Sequence, residues 1–397
     1  MKNKNSFLPA ESIPLRDLFD EAKSRQGAIL KTLYEIVSIE SPSSDKAAVD
    51  RCVEKVAGEW RKRGARVSIL PQPQRGNIVR AEASGSADSD ASSGKQLLVL
   101  GHLDTVYPFG TLARMPFRVL KGRAWGPGIF DMKGGVVLAL FALEILRATG
   151  LKPRRKVVFL WTGDEEIGSP SSRSVIQKEA RKSVATLVLE PPFGSHGAAK
   201  TRRKGIGDLR ITVHGRAAHA GVNPQDGINA AHELALQVAR LMKMNDPHRG
   251  ITVQANVISS GTAANVVPDL ARAEVDVRFA RQADGPRLER KLLALKPFLR
   301  GARLELHGGI NRPPLERTPA LEKLFLHARE LARGIGFSLQ EAATGGGSDG
   351  NLTGAIGIPT LDGIGAVGDG AHTAHEHVII RDLPKRAAFI AALLATI

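Results

Sequence analysis

Short apolar segments alternate with helical patterns in this chain, and that alternation constrains its fold more than any other feature. The segments are QLLVLG (96–101), KVVFLWT (156–162) and ATLVLE (185–190), each typical of a buried strand. Between the first two, GGVVLALFALEILRATG (134–150) predicts a helix that ends at Gly150, with Pro153 just beyond. Strands that alternate with helices predict an α/β fold with a mostly parallel sheet and helices on both faces.

The pattern changes near residue 201. From residue 201 to 310 the predicted elements follow the order βαββαβ, which is the ferredoxin-like arrangement, and the α/β pattern resumes afterwards. We therefore predict a larger domain formed by residues 1–200 and 311–397, with a smaller domain, 201–310, inserted into it. The polar spacer ASGSADSDASSG (83–94) predicts a flexible surface loop.

The formal net charge of +16 narrows the choice of partners. Nucleic-acid binding is disfavoured, because aromatic residues make up only 5% of the chain and no nucleic-acid-binding motif is present. A solvated basic surface and the attraction of anionic substrates both stay open. The single cysteine, Cys52, excludes an intramolecular disulfide and falls in a helical pattern typical of a small core residue.

Targeting and membrane signals are expected to be absent. The N-terminal MKNKNSFLPAESIPL has no long apolar stretch, so we expect no signal peptide. No run of about 18 apolar residues occurs, so we expect no membrane span. The expected location is the cytoplasm, with the periplasm left open.

Acidic residues and histidines follow the predicted strands where those strands end. They are His102 and Asp104 after the first strand, Asp164, Glu165 and Glu166 after the second, and Glu190 at the end of the third, with Asp131 before the long helix and His372 near the C-terminus. Ligands of open parallel sheets bind outside the carboxyl ends of the strands, so these side chains would meet at one edge. Taken singly, a histidine is more often structural and a carboxylate pair is usually a solvated face. Taken together, their nitrogen and oxygen atoms predict a zinc-type metal site, in which one aspartate can bridge two ions.

Five motifs of this chain occur in the same order in a known enzyme family. They are GHLDTV (101–106), GPGIFDMKGG (126–135), TGDEEIGS (162–169), LEP (189–191) and GAHTAHE (370–376). The chain resembles, over nearly its whole length, the co-catalytic dizinc exopeptidases, which include glutamate carboxypeptidase, acetylornithine deacetylase, succinyl-diaminopimelate desuccinylase and several dipeptidases. ILKTLYEIVSIESPS (29–43) and TGGGSDGN (344–351) favour the bacterial glutamate carboxypeptidase branch.

The resemblance implies two zinc ions per chain, with Co²⁺ or Mn²⁺ as substitutes. The implied ligands are His102 and Glu190 for one ion, Glu166 and His372 for the other, and Asp131 as the bridge. A cis peptide bond between Asp131 and Met132 is also implied. His375, three residues after His372, is the nearest rival for the role of His372.

The resemblance also assigns roles beside the metals. Asp104 would accept the second N–H of the His102 imidazole and so fix its orientation. Glu165 would be the general base, because its neighbour Glu166 is held by metal while Glu165 can reach the attacking water. Glu165 would then pass the proton to the leaving amine.

The inserted domain adds candidates that act, by resemblance, across a homodimer formed through this domain. His219 in GRAAHAG would reach the partner subunit's site and stabilise the developing oxyanion. Asn265 in GTAANVVPD would contact the substrate in the same way. Arg312 would grip a substrate carboxylate, although Asn311 stands where the family's usual GRPP motif has glycine.

Gly347 and Ser348 would line the substrate pocket through backbone and hydroxyl groups. For Arg278, two roles stay open: a substrate contact and a structural ion pair.

The main hypothesis is a zinc-dependent hydrolase that cleaves a C-terminal peptide or N-acyl amide bond and releases a free amino acid. An acetylornithine-type or succinyl-diaminopimelate-type deacylase, or a dipeptidase, is the alternative with the same metals. A non-catalytic scaffold would lack a ligand or the base, and none is missing from the motifs. The expected partner is a small peptide or N-acyl amino acid, not nucleic acid or membrane.

Overall fold

The computed structural model describes residues 7–86 and 95–397, and within them the chain forms two compact units. The first is built from the chain up to Arg202, Arg317–Thr344 and Ser348–Ile397, and the second from Arg203–Glu316 with Gly345–Gly347. Residues 311–316, which the sequence analysis placed in the larger domain, fall in the second unit. Residues 87–94, most of the predicted spacer loop, lie outside the described residues.

Helices account for much of the first unit and for one layer of the second. In the described ranges they are α1 Leu15–Ser24, α2 Gln26–Val37, α3 Lys46–Lys62, α4 Thr111–Arg114, α5 Gly134–Ala148, α6 Arg173–Arg181, α7 Ala230–Met242, α8 Gly285–Leu293, α9 Pro319–Ile335, α10 Gly350–Gly354 and α11 Leu383–Thr396. None of the described helices is both long enough and apolar enough to cross a membrane.

The strands fall into separate sheets. Those described are β1 Arg66–Leu70, β2 Ile78–Ala83, β3 Gln96–His102, β4 Arg118–Leu120, β5 Arg123–Trp125, β6 Val157–Thr162, β7 Ser183–Val188, β8 Ala199–Arg203, β9 Gly205–His214, β10 Ala218–His219, β11 Thr252–Ser260, β12 Val266–Val267, β13 Leu270–Phe279, β14 Arg303–Arg312, β15 Glu341–Thr344, β16 Thr360–Leu361, β17 Gly368–Asp369 and β18 His377–Ile379. β14 continues to Arg312, so residues 311 and 312 belong to a strand of the second unit. The residues that follow, up to Glu316, belong to the same unit.

The main sheet of the first unit is mixed rather than purely parallel. Its strand order is β1-β2-β6-β3-β7-β16. The pairs from β6 to β16 are parallel, as predicted, whereas β2 is antiparallel to both β1 and β6. A short connection returns the chain from β1 to β2, and a connection of that length fits antiparallel neighbours.

Helices cover both faces of this sheet. Leu98 and Leu160 share a buried cluster with Ile176 of α6 on one face. Side chains alternate along a strand, so Phe159 points to the other face. There its ring centroid lies 4.2 Å from that of Trp60 on α3. Each large apolar side chain buried in this way contributes about 1.5–3 kcal/mol. Cys52, also on α3, is fully buried, as its sequence pattern indicated.

The second unit has the predicted βαββαβ order, formed by β9, α7, β11, β13, α8 and β14, with the short strands β10 and β12 added. Its four-stranded sheet is antiparallel in the order β11-β13-β9-β14. Buried side chains such as Leu209, Val277 and Leu288 form its own core. The unit can therefore hold its shape by its own packing.

Candidate metal centre

The carboxyl ends of three parallel strands lie side by side in the first unit. β3 pairs with β6 and with β7, so that His102 is level with Thr162 and Leu100 is level with Val188. The segments that leave these strands carry most of the predicted site residues. Parallel pairing therefore brings residues distant in sequence to one edge of the sheet.

One cluster joins His102, Asp131 and Glu190. The Nε2 atom of His102 lies 3.2 Å from Oδ1 of Asp131 and 3.4 Å from Oε1 of Glu190. A close approach of two backbone segments sets this geometry, because a methyl group added at Gly135, at the start of α5, would overlap the carbonyl oxygen of Leu189. Glycine at that position lets the Asp131 segment pack against the Glu190 segment.

Asp131 also belongs to a second cluster, with Glu166 and His372. The Nε2 atom of His372 lies 3.4 Å from Oδ2 of Asp131 and 3.2 Å from Oε2 of Glu166. In each cluster the candidate ligand atoms all lie within 4.8 Å of one another. Asp131 thus offers a different oxygen to each cluster. His375 belongs to neither, and its Nδ1 lies 3.1 Å from the hydroxyl group of Thr373.

The structure therefore brings together all five side chains that the sequence analysis singled out as metal ligands. The peptide bond between Asp131 and Met132 is cis, as the family resemblance implied.

Asp104 is fully buried and holds the turn that carries the two adjacent glutamates. Its Oδ1 accepts the backbone N–H of Glu165 at 3.1 Å, and its Oδ2 accepts that of Glu166 at 3.2 Å. The Nδ1 atom of His102 lies 2.9 Å from the carbonyl oxygen of Asp104 and 3.5 Å from its Oδ1. The nearer acceptor for His102 is thus the carbonyl oxygen, whereas the family resemblance implied the carboxylate.

The charges of the centre favour a bound cation. Burial alone would raise the pKa of Asp131, but hydrogen bonds from His102 and His372 outweigh burial and lower that pKa. Hydrogen bonds to Asp131 and then to Glu166 raise the pKa of His372 to about 10. Three carboxylates leave negative charge in excess even when both imidazoles are protonated, and a bound metal ion would take the place of those protons. Nitrogen and oxygen donors of this kind fit zinc and related divalent ions.

Glu376 is a further residue beside the centre, and it was not predicted from the sequence. Its fully buried carboxylate accepts the backbone N–H groups of Gly128, Phe130 and Asp131. Burial raises the pKa of Glu376 to about 7, although the hydrogen bonds it accepts act in the opposite direction. An acidic residue four positions after His372 was the available signal.

Two predicted residues of the second unit lie close together. β10 pairs with β12, and the N–H of Ala220 donates to the carbonyl oxygen of Asn265 at 2.9 Å. His219 is exposed, and its Nδ1 accepts the N–H groups of Gly221 and Val222 at 3.1 Å each. With Nδ1 as the acceptor, the neutral imidazole carries its proton on Nε2 and can donate from that atom.

Two further candidates of this unit are in contact. Arg312, at the end of β14, is only 3% exposed. A Cβ added at Gly347 would lie 3.2 Å from Cδ of Arg312, so this glycine packs directly on the arginine side chain. Arg278 pairs with Asp276 at 2.7 Å, which is the ion-pair alternative weighed for it.

Ser348 belongs to the first unit and is fully buried. Its hydroxyl group donates to the Asp362 carboxylate and accepts the N–H of Gly350. That hydroxyl is therefore used inside the fold, unlike the substrate-facing role predicted for it.

Two clusters that share one carboxylate beside the strand ends of an α/β unit fit the arrangement of a two-metal hydrolase. The chain belongs to peptidase family M20/M25/M40, whose family model matches residues 98–396.

Particular relatives support this membership. The chain is 31% identical to carboxypeptidase G2 of Pseudomonas sp. (strain RS-16) over 381 residues, which is 95% of this chain and 91% of that protein. It is 27% identical to succinyl-diaminopimelate desuccinylase of Alkalilimnicola ehrlichii over 308 residues, 71% of this chain and 79% of that protein. Its fold matches Sso-CP2, an M20 family metallo-carboxypeptidase from Sulfolobus solfataricus, with a TM-score of 0.73 and 18% identity, over 92% of this chain and 98% of that one. The protein is a metal-dependent hydrolase that acts on peptide or acyl amide bonds.

Proposed function

We propose that this hydrolase removes a C-terminal residue from a small peptide or N-acyl amino acid and releases it as a free amino acid. The observation that carries the proposal is the pair of clusters that share Asp131. The similarity to carboxypeptidase G2 over nearly the whole of both chains supports a C-terminal point of cleavage. The resemblance to glutamate carboxypeptidases, the candidate carboxylate ligand Arg312 and the net charge of +16 together support an acidic residue such as glutamate.

We assign two zinc ions to the centre, with Co²⁺ or Mn²⁺ as functional substitutes. The assigned ligands are His102 and Glu190 for one ion, His372 and Glu166 for the other, and Asp131 for both. Three protein ligands for each ion match catalytic zinc sites, which keep a position open for water or substrate. Bound ions supply polarisation of the scissile carbonyl group and acidification of water.

Glu165 is the proposed general base. It lies in the turn Glu165–Ile167, next to the assigned ligand Glu166, and Asp104 holds the backbone N–H of both glutamates. The Glu165 carboxylate takes a proton from the attacking water as the new C–O bond forms. It then delivers that proton to the leaving nitrogen as the C–N bond breaks, so that one water is consumed per bond cleaved.

The second unit supplies the proposed substrate contacts. His219 donates from Nε2 to the developing oxyanion, and Asn265 beside it contacts the substrate. Arg312 binds the substrate carboxylate, and Gly347 packs against the side chain of that arginine. Ser348 serves the pocket by anchoring the loop that follows Gly347 rather than by direct contact.

A homodimer formed through the second unit is part of the proposal. β11 is an edge strand of the four-stranded sheet, and its Val257 and Ile258 are 59% and 55% exposed. Exposed edge strands with apolar side chains pair readily with another strand. In such a dimer His219 and Asn265 would serve the partner subunit's centre.

A deacylase of the succinyl-diaminopimelate type is the second candidate. It is favoured by the similarity to the Alkalilimnicola ehrlichii enzyme, which covers 71% of this chain. Such an enzyme would remove small acyl groups from basic or diamino acids, as would an acetylornithine-type deacylase. A dipeptidase would instead need a free amino terminus on its substrate.

A substrate panel on the zinc-loaded protein separates these candidates. It contains N-acyl-glutamates, peptides ending in glutamate, alanine or lysine, N-acetylornithine, N-succinyl-diaminopimelate and unblocked dipeptides. We expect the fastest release of amino acid from N-acyl-glutamates and glutamate-terminated peptides. Faster release from the diamino acid derivatives would favour the deacylase, and no release with Zn²⁺, Co²⁺ or Mn²⁺ would contradict the proposal.

A further inference from the structure

The Glu376 carboxylate receives four hydrogen bonds in the interior of the first unit. Its Oε1 accepts the backbone N–H groups of Phe130 at 2.8 Å and Asp131 at 2.9 Å. Its Oε2 accepts the N–H of Gly128 at 2.9 Å and the hydroxyl of Tyr107 at 2.6 Å. The side chain is fully buried, so no bond to solvent competes with these.

These four bonds join three segments of the chain, each of which carries a candidate metal ligand. Tyr107 lies five residues after His102, and Glu376 lies four residues after His372. The three backbone N–H groups belong to the segment that ends in Asp131. One carboxylate therefore ties together the segments of both imidazoles and of the shared carboxylate.

A buried carboxylate this close to an acidic cluster is costly to the fold unless something compensates it. The four donors compensate part of that cost. An uncharged acceptor, however, could accept the same hydrogen bonds without adding negative charge. The bond to the backbone N–H of Asp131 indicates what this side chain accomplishes. It fixes the backbone directly at the one residue whose two oxygens face different clusters.

We propose that Glu376 is a positioning residue of the metal centre, which holds the Asp131 backbone so that both clusters can each bind a divalent cation. The inference rests on the proposed metal assignment. Partners that orient metal ligands typically change metal affinity or activity by about 10–100-fold when mutated. The affinity of the centre for Zn²⁺ is therefore the primary readout.

Glu233 provides a matched control in the second unit. It is also a fully buried glutamate, and it accepts the backbone N–H groups of Phe298 at 2.9 Å and Leu299 at 2.7 Å and the amide of Gln237 at 2.7 Å. None of the five candidate ligands lies in that unit. Glu233→Gln should therefore weaken folding in the same way without touching the metal centre.

The experiment compares Glu376→Gln, Glu376→Asp and Glu233→Gln with the unmodified protein. Zn²⁺ affinity is measured by competition with a chelator, and the Tm of the metal-free protein reports the fold. In Glu376→Gln the amide nitrogen would face backbone N–H donors. In Glu376→Asp the charge stays, but the shorter side chain moves the carboxylate away from those donors. We expect both to lower Zn²⁺ affinity by about 10–100-fold. Glu233→Gln should lower Tm and leave Zn²⁺ affinity unchanged.

The possible results separate positioning from charge and from general destabilisation. Wild-type affinity in Glu376→Asp, with loss only in Glu376→Gln, would show that charge alone matters and would overturn the inference. An equal loss of Zn²⁺ affinity in Glu233→Gln would overturn it too. Failure of the unmodified protein to bind Zn²⁺ would refute the metal assignment itself, which is a distinct result. If Glu376→Gln does not fold, Glu376→Asp carries the test.

Discussion

Adjacent glutamates with different proposed tasks are the main feature at the scale of single residues. Glu165 and Glu166 share one short turn, and the Asp104 carboxylate accepts the backbone N–H of each with a different oxygen. The Oε2 atom of Glu166 lies 3.2 Å from Nε2 of His372. Asp104 thus sets the backbone of both glutamates, and the Glu166 side chain belongs to the second cluster.

Variants of the two glutamates should separate metal binding from turnover. Glu165→Gln should keep two zinc ions per chain and lose activity by roughly two to four orders of magnitude, because it removes the proton acceptor. Glu166→Gln should reduce the metal content towards one ion, because it removes a ligand from the second cluster. Metal analysis of the purified protein together with kcat measurements checks both. Full activity in Glu165→Gln would refute the base assignment.

Two of the residues found from sequence have a property that Glu376 lacks. His102 and Glu190 stand at or just beyond strand ends, where pattern alone predicts convergence. Glu376 lies in a turn, and its partners are backbone N–H groups of the Asp131 segment, which no side-chain pattern records. Asp104 was predicted as a site residue, but its contacts with the backbone of the two glutamates were not.

At the scale of elements, the positions of the strands were easier to predict than their directions. The apolar runs 96–101, 156–162 and 185–190 correspond to β3, β6 and β7, which are parallel neighbours. The antiparallel β2 lies beside β6 although β3 separates them in sequence, so its direction depends on tertiary packing rather than on local pattern. The βαββαβ order was predictable because each of its elements is long and regular.

The contact between α9 and α11 should make the first unit sensitive to acid. His327 of α9 is 8% exposed, and its Nε2 lies 2.8 Å from the hydroxyl of Thr396 on α11. Burial, and then the charge of Arg154, lowers the pKa of His327 from 6.5 to about 4. The unfolded chain therefore takes up this proton first as pH falls from 6.5 towards 4, which favours unfolding by on the order of 3 kcal/mol at most. Above pH 6.5 the effect is absent, because both states are neutral.

His327→Gln removes this titration and keeps a group that can bond to Thr396. Urea unfolding at pH 7.5, 5.5 and 4.5 should show that the variant loses less stability on acidification than the unmodified protein does. Equal losses would contradict the prediction. Other groups titrate in the same range, so the difference between the two proteins is the quantity to compare.

At the scale of the whole molecule, the two units divide the proposed work between them. The first unit contains the five candidate ligands and Glu165, and the second contains His219, Asn265 and Arg312. Each unit has its own buried core, which explains how the second can be inserted without disturbing the strand ends that carry the centre.

The proposed homodimer is tested at the exposed edge of the second unit. A β-bulge interrupts β11 between Ala255 and Val257, and after it Val257 and Ile258 are both exposed although they are neighbours on the strand. Ile258→Lys puts a charge at this edge and should shift the protein from dimer to monomer in light scattering coupled to size-exclusion chromatography. Leu293→Lys on α8 is the control, because Leu293 is also exposed, at 48%, but lies outside the edge strand.

Activity decides whether the dimer matters for catalysis. If His219 serves the partner subunit's centre, the Ile258→Lys monomer should bind zinc normally and lose most of its kcat. Mixing the inactive variants Glu165→Gln and His219→Ala should then restore activity, because a mixed dimer contains one intact combination of base and oxyanion donor. A fully active monomer, or an unmodified protein that is monomeric at micromolar concentration, would contradict the proposed arrangement.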